Sequence, residues 1–139
     1  PYDPRFQSIY SRLREAHGVG VIYRGDPHAA LRMVRTLREG TLLGMPMDLK
    51  TSVESIAVPF LGHCASTPVG PARLALRTGA IVLVGTLTRE LGTPPTITVT
   101  PIPTEGVDEE ELTRRLNDEI SRRVLAYAEA WPWMHARWS

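Results

Sequence analysis

The sequence predicts an α/β fold, a mixed, largely parallel sheet flanked by helices. Three observations predict it. Residues 19–23, 41–47, 56–61 and 80–86 are apolar runs of strand length. Between the first two lies a helical stretch, 27–39, the right length for a right-handed parallel crossover. The run 80–86, AIVLVGT, is almost unbroken in its apolar character, as expected of a strand covered on both faces.

The elements follow in order. Residues 3–17 form a helix: Asp3 can cap it, Pro4 suits its first turn, and Phe6, Ile9, Tyr10 and Leu13 recur at helical spacing. Gly18 closes it. The strand 19–23 ends at Arg24, before the turn Gly25-Asp26-Pro27. Asp26 is the expected N-cap of the next helix and Gly40 its stop, with Arg32, Arg35 and Arg38 on its outer face. Asp48 and Lys50 follow the strand 41–47. Pro59 marks 56–61 as an edge or irregular strand. Residues 62–69 read as a loop; Ser66 and Thr67 within it and Gly70 just after it leave backbone amides accessible near a helix start, either for a polar ligand or as an ordinary connection. A helix over 71–78 stops at Gly79. Residues 87–95 are a loop, 96–100 (TITVT) a half-exposed strand suited to an antiparallel edge, and 101–107 a linker. The last helix starts at Asp108, with Glu111 three residues on as a capping-box variant. Leu112, Leu116, Ile120, Val124, Tyr127 and Trp131 form its stripe. All three tryptophans fall within the last nine residues.

With 139 residues and 42% hydrophobic content the chain is expected to be a single domain, 1–139, or part of one. No run approaches the ~20 apolar residues of a membrane span. The chain opens on Pro1 without a methionine, which suggests a piece of a longer protein. The one cysteine, Cys64, leaves no internal disulfide and fits a reducing compartment. A net charge of +1 gives no general attraction to nucleic acid. Fifteen of the sixteen basic residues are arginine, which suits forked contacts to phosphate and carboxylate.

Familiar chemical signatures are missing. There is no P-loop, dinucleotide fingerprint or nucleophile elbow. His17, His28, His63 and His135 are scattered and lack zinc spacing, so neither metal nor cofactor is expected. His63 and Cys64 are adjacent, and neighbours on an extended segment point apart. Arg24, at the carboxyl end of a strand, stands where an α/β sheet binds ligand; a surface ion pair with Asp26 explains it equally well. Asp48 can orient an arginine or simply begin a turn.

Several blocks together resemble one family. GVGVIYR (18–24) resembles the second block of the glycerolipid acyltransferase superfamily. The order of the blocks along the chain is similar to that in the bacterial lipid A biosynthesis acyltransferases, the lauroyl and myristoyl transferases: Arg14 four residues before Gly18, Leu-Arg-Glu-Gly at 37–40, Pro46-Met47-Asp48, Val-Pro-Phe-Leu-Gly at 58–62, a threonine (Thr67), a Gly-x-x-x-Leu-Ala helix at 70–75, Thr-Gly-Ala at 78–80, and a closing Trp133-Met-His135-Ala-Arg137-Trp138.

The resemblance implies transfer of a fatty acyl chain from acyl carrier protein, or acyl-CoA, to a hydroxyl of a phosphorylated glycolipid such as a lipid A precursor. The alternatives are acylation of another lipid, of the phosphatidylinositol mannoside type, or a non-catalytic phosphate- or lipid-binding remnant. It implies that Arg14 and Arg24 contact phosphate, that Asp48 and Thr67 belong to the substrate site, and that His135 and Arg137 are structural. The partners implied are the acyl donor, the lipid acceptor and a membrane surface. The family's general base is the histidine of a His-x4-Asp/Glu motif, and none of the four histidines has an acid five residues on. The chain therefore resembles a C-terminal portion, without the base and without the family's N-terminal membrane helix. It is expected to be inactive and soluble alone, within a parent protein at the cytoplasmic face of the bacterial inner membrane.

Overall fold

The structure, a computed structural model, describes residues 4–23, 25–50, 52–89, 92–134 and 137–138. They fall into two compact units, residues 1–43 and 44–139.

In the first unit, α1 (Pro4–Glu15) and α2 (Ala29–Arg38) are both closed by glycine. Gly18, at φ 72°, lets Val19 N–H reach back to Arg14 O at 2.9 Å and Gly18 N–H to Glu15 O at 3.0 Å. Gly40, at φ 73°, repeats the arrangement, with Thr41 N–H on Thr36 O. Both are paired C-terminal closures that require a left-handed residue. Asp26 does act at the start of α2, although the helix begins two residues later than its pattern suggests. Its Oδ1 accepts from His28 N–H at 2.8 Å, and its Oδ2 pairs with Arg32 at 2.8 Å. No described residue of this unit is buried.

The second unit is built around α4 (Glu109–Ala126). Asp108 caps it as expected, accepting from Glu111 N–H at 2.8 Å. Leu112 and Leu116 are buried with Met47, Ala72, Ala75, Val84 and Ile102 in one core cluster. Two turns further on, Val124 joins Phe60, Ala65 and Trp131 in a second, and Ile120 packs against both. Each buried leucine contributes roughly 1.5–3 kcal/mol, so α4 is the spine on which two layers of packing meet. The second cluster takes in a hairpin, β1 (Ser55–Phe60) with β2 (His63–Pro68). The first joins α3 (Gly70–Thr78), through Ala72 and Ala75, to the ribbon of β3 (Val82–Thr88) and β4 (Thr96–Ile102).

Arg123 fastens the ribbon to the helix. Its side chain is 5% exposed, and its guanidinium donates to Thr86 Oγ1 (2.6 Å), Thr98 O (2.8 Å), Thr100 Oγ1 (2.5 Å) and Glu119 Oε1 (2.7 Å). Arg73 makes a second clamp. It is bidentate on Glu54 at 2.7 Å and also bonds Glu109 at 2.9 Å, tying α3 to the loop before β1 and to the start of α4.

The expectation of a largely parallel sheet is corrected. The strands described form two separate two-stranded sheets, β1–β2 and β3–β4, both antiparallel. Residues 19–23 and 41–47 are not strands, so no parallel crossover links them. Strand propensity reports fit to a pleated, half-buried surface, and these runs have no ladder partner among the described residues. Residues 62–69, read as a loop, contain β2. The turn Leu61-Gly62 (φ 50° and 79°) reverses the chain in two residues with Phe60 opposite His63. Positive φ at both centres is the hairpin geometry that matches strand twist. Leu61 tolerates it with its N–H held by Ser121 Oγ at 3.0 Å.

The run 80–86 starts as strand two residues later than expected and is covered on one face only. Val84 is buried, while Leu83 and Leu87 are exposed beside exposed Ile97 and Val99 of β4. The antiparallel edge expected at 96–100 is present and extends to Ile102.

Candidate functional site

Two of the four residues singled out for substrate binding, Asp48 and Thr67, are drawn into one network by the C-terminal tail. Thr67 points inward from β2 and is fully buried. Its hydroxyl donates to Ala65 O (3.2 Å) and accepts from Asn117 Nδ2 (2.9 Å) and Arg137 Nη2 (2.8 Å). A hydroxyl has one donor and two acceptor lone pairs, so this one is fully used.

Arg137 is 1% exposed. Its Nη1 donates to Ser66 O at 2.5 Å, and its guanidinium lies 4.8 Å over the Phe60 ring. Burial pushes its pKa down, while the nearby Asp48 carboxylate acts in the opposite direction. Asn117 also donates to Pro59 O at 3.0 Å, bridging β1 and β2 from α4. Asn117 Oδ1 and Arg137 Nε have no hydrogen-bond partner among the described residues.

Asp48 lies half-buried in the loop before β1. Its Oδ2 accepts from Trp131 Nε1 at 3.1 Å. Trp131 stacks edge-on with Trp133 at 4.7 Å and lies 5.7 Å from Phe60, which lies 5.9 Å from Trp138. Trp138 Nε1 donates to Phe60 O at 3.3 Å. The tail thus wraps Phe60 in aromatic rings and a cation, and Asp48 stands at the rim of that wrap.

The other two candidates fall within residues 1–43. Arg14 belongs to the first unit. It is exposed near the end of α1, 6.0 Å over the Tyr10 ring. Arg24 lies outside the described residues, as do Asp3 and His135. Cys64 is exposed and free on β2, and His63 stands edge-on to Trp138 at 6.2 Å.

Sequence reasoning missed Asn117 and Ser121. Thr113, Asn117 and Ser121 recur every four residues, one position after Leu112, Leu116 and Ile120. That polar row beside the apolar stripe is the signal that would have found them. A shallow groove lined by Ile102, Pro103, Arg115, Asp118, Glu119 and Arg122 is a weaker candidate. Its charges are already paired, Arg115 with Glu111, Asp118 with Arg114 and Arg122 with Glu119. Among the described residues no cluster of three histidine, cysteine or acidic side chains could hold a metal ion. No described helix is long and apolar enough to cross a membrane.

The sequence profile of the family described as bacterial lipid A biosynthesis acyltransferase matches residues 2–139. A search of characterised proteins finds no match to the chain.

Proposed function

The chain belongs to the bacterial lipid A biosynthesis acyltransferase family, and from that premise we propose that it forms the acceptor-holding part of an acyl transfer site. The acyl chain comes from acyl carrier protein or acyl-CoA. The acceptor is a hydroxyl of a phosphorylated glycolipid, and the reaction takes place at a membrane surface. The hydroxyl oxygen attacks the thioester carbonyl, a C–O bond replaces the C–S bond, and the thiol leaves. The proton passes to a general base, which in the resemblance is a histidine of His-x4-Asp/Glu and does not occur in these 139 residues.

The observation that carries the reading is the family match along essentially the whole chain. Arg24 and Arg14 are proposed to hold phosphate through charge-assisted hydrogen bonds. Asp48 is proposed to face the acceptor. Among the described residues its Oδ2 accepts from Trp131 Nε1, and its other lone pairs offer an acceptor capacity that the saturated Thr67 hydroxyl lacks. Thr67 would act through the backbone it fixes.

The test is binding of a phosphorylated glycolipid to wild type and to Arg24→Ala. Loss of one charge-assisted contact weakens binding by about 1–3 kcal/mol, roughly 5- to 150-fold. Unchanged affinity overturns the phosphate assignment. Acyl transfer by the 139 residues alone would overturn the assignment of the base to sequence outside them.

A further inference from the structure

We propose that Trp131 is a positioning residue that holds the Asp48 carboxylate in place for the acceptor hydroxyl. The proposal deepens the acyl-transfer reading and rests on its assignment of Asp48 to the acceptor.

The three tryptophans all donate their indole N–H within residues 44–139, but to acceptors of different kinds. Trp133 Nε1 donates to Ala128 O at 2.6 Å and Trp138 Nε1 to Phe60 O at 3.3 Å. A packed indole N–H needs some partner, and a backbone carbonyl provides it. Trp131 Nε1 instead donates to a side chain 83 positions away, Asp48 Oδ2 at 3.1 Å. A backbone carbonyl satisfies the donor equally well. A carboxylate adds a second effect, because a side chain that rotates freely is held by the donor.

The donor is rigid. Trp131 is 9% exposed and lies in the core cluster with Phe60, Ala65 and Val124. Its ring centroid is 5.7 Å from that of Phe60 and 4.7 Å from that of Trp133, which meets it edge-on. Packing therefore sets the direction of its N–H. The acceptor is not rigid by itself. Met47, just before it, is buried in the other core cluster, but residues 48–50 and 52–54 belong to no helix or strand. Among the described residues the Asp48 carboxylate accepts from no donor but Trp131. The buried Arg137 guanidinium attracts the same carboxylate. Charge thus draws Asp48 toward the tail, and the indole N–H orients it. With Oδ2 anchored, an acceptor hydroxyl donates to the lone pairs that remain, and its placement inherits that of the carboxylate.

The experiment measures binding of dodecyl glucoside phosphate, a simple phosphorylated glycolipid, to wild type, Trp131→Phe, Asp48→Ala and the double variant. Proton–nitrogen spectra of the indole N–H groups are recorded with and without it. Trp131→Phe keeps an aromatic ring in the cluster and removes the donor. It should weaken binding roughly 2- to 10-fold, the range of one hydrogen bond, and have no effect in the Asp48→Ala background. The indole resonance absent from Trp131→Phe identifies Trp131. That resonance should shift when the glycolipid is added to wild type and stay in place in Asp48→Ala. An indole that only supports the fold weakens both backgrounds alike. Should Trp131→Phe fail to fold, the indole resonances of wild type and Asp48→Ala still decide.

Three results overturn the proposal: equal loss in both backgrounds, no loss from Trp131→Phe in the wild-type background, or a Trp131 resonance that shifts in the same way without Asp48. With binding by wild type intact, each of these leaves the acyl-transfer reading standing. Failure of that reading looks different. Wild type that binds no glycolipid, or Asp48→Ala that binds it like wild type, removes Asp48 from the acceptor site and overturns both.

Discussion

The hydroxyl of Thr67 meets three demands at once, from Ala65 O, Asn117 and Arg137. A side chain so occupied cannot release a bond without leaving a buried donor unmet. Thr67→Val keeps the shape and removes the acceptor, so it should cost about 1–3 kcal/mol, read as a lower urea midpoint at unchanged slope. Thr67→Ser should restore most of that.

Glu119 offers a different handle. Hydrogen bonds from Arg122 and Arg123 lower its pKa from 4.5 to about 2. A depressed carboxylate contributes stability that is present above its unfolded pKa and is lost as pH falls through the folded one. Stability should therefore fall between about pH 4.5 and 2, and Glu119→Gln should flatten that fall in acid titrations followed by circular dichroism. A wild-type profile flat across that window would contradict the ion-pair geometry.

At the scale of elements, α4 joins otherwise separate pieces. The β3–β4 ribbon meets it through Arg123, whose donors reach both strands. Arg123→Ala would leave three oxygens of the ribbon without this donor, while Glu119 keeps Arg122. The expected loss is about 1–3 kcal/mol, with amide exchange in β3 and β4 rising before that in β1 and β2. Equal loss of protection across all four strands would show that the clamp is not local.

α4 was also the most legible element. Its cap at Asp108 and its stripe from Leu112 to Val124 follow local pattern, which sufficed; the expected extension of the stripe to Tyr127 and Trp131 is corrected, since the helix ends at Ala126 and Tyr127 is exposed. The stops at Gly18, Gly40 and Gly79 were legible for the same reason, since each is set by one residue's freedom to adopt positive φ. β2 was not. CASTP has small and polar side chains whose inward members, Ala65 and Thr67, do not announce a core face. Only Leu61-Gly62 hinted at a two-residue reversal.

Across the whole molecule, pairing between distant residues is the part that stayed hidden in the sequence. An apolar run looks the same whether its neighbour lies parallel, antiparallel or nowhere, so 80–86 passed for a strand covered on both faces. Arg137 was legible as part of a closing motif, but its contact with Thr67 spans seventy positions. Burial of a cation is not a property that composition suggests. Asp48 and Thr67 were both singled out in the sequence, as motif positions; the tail that draws them into one network was not.

The outer face of the β3–β4 ribbon bears on how the protein behaves in a test tube. Leu83, Leu87, Ile97 and Val99 stand in solvent side by side, and neither strand has a second ladder partner among the described residues. Such a surface is a template for edge-to-edge growth, blunted here only by Pro101 and the alternating threonines. Colloidal behaviour should therefore be set by this patch more than by the net charge. Leu87→Lys, a charge on an already exposed position, should raise the concentration at which turbidity appears and leave the melting temperature unchanged. A turbidity threshold that does not move would place the sticky surface elsewhere.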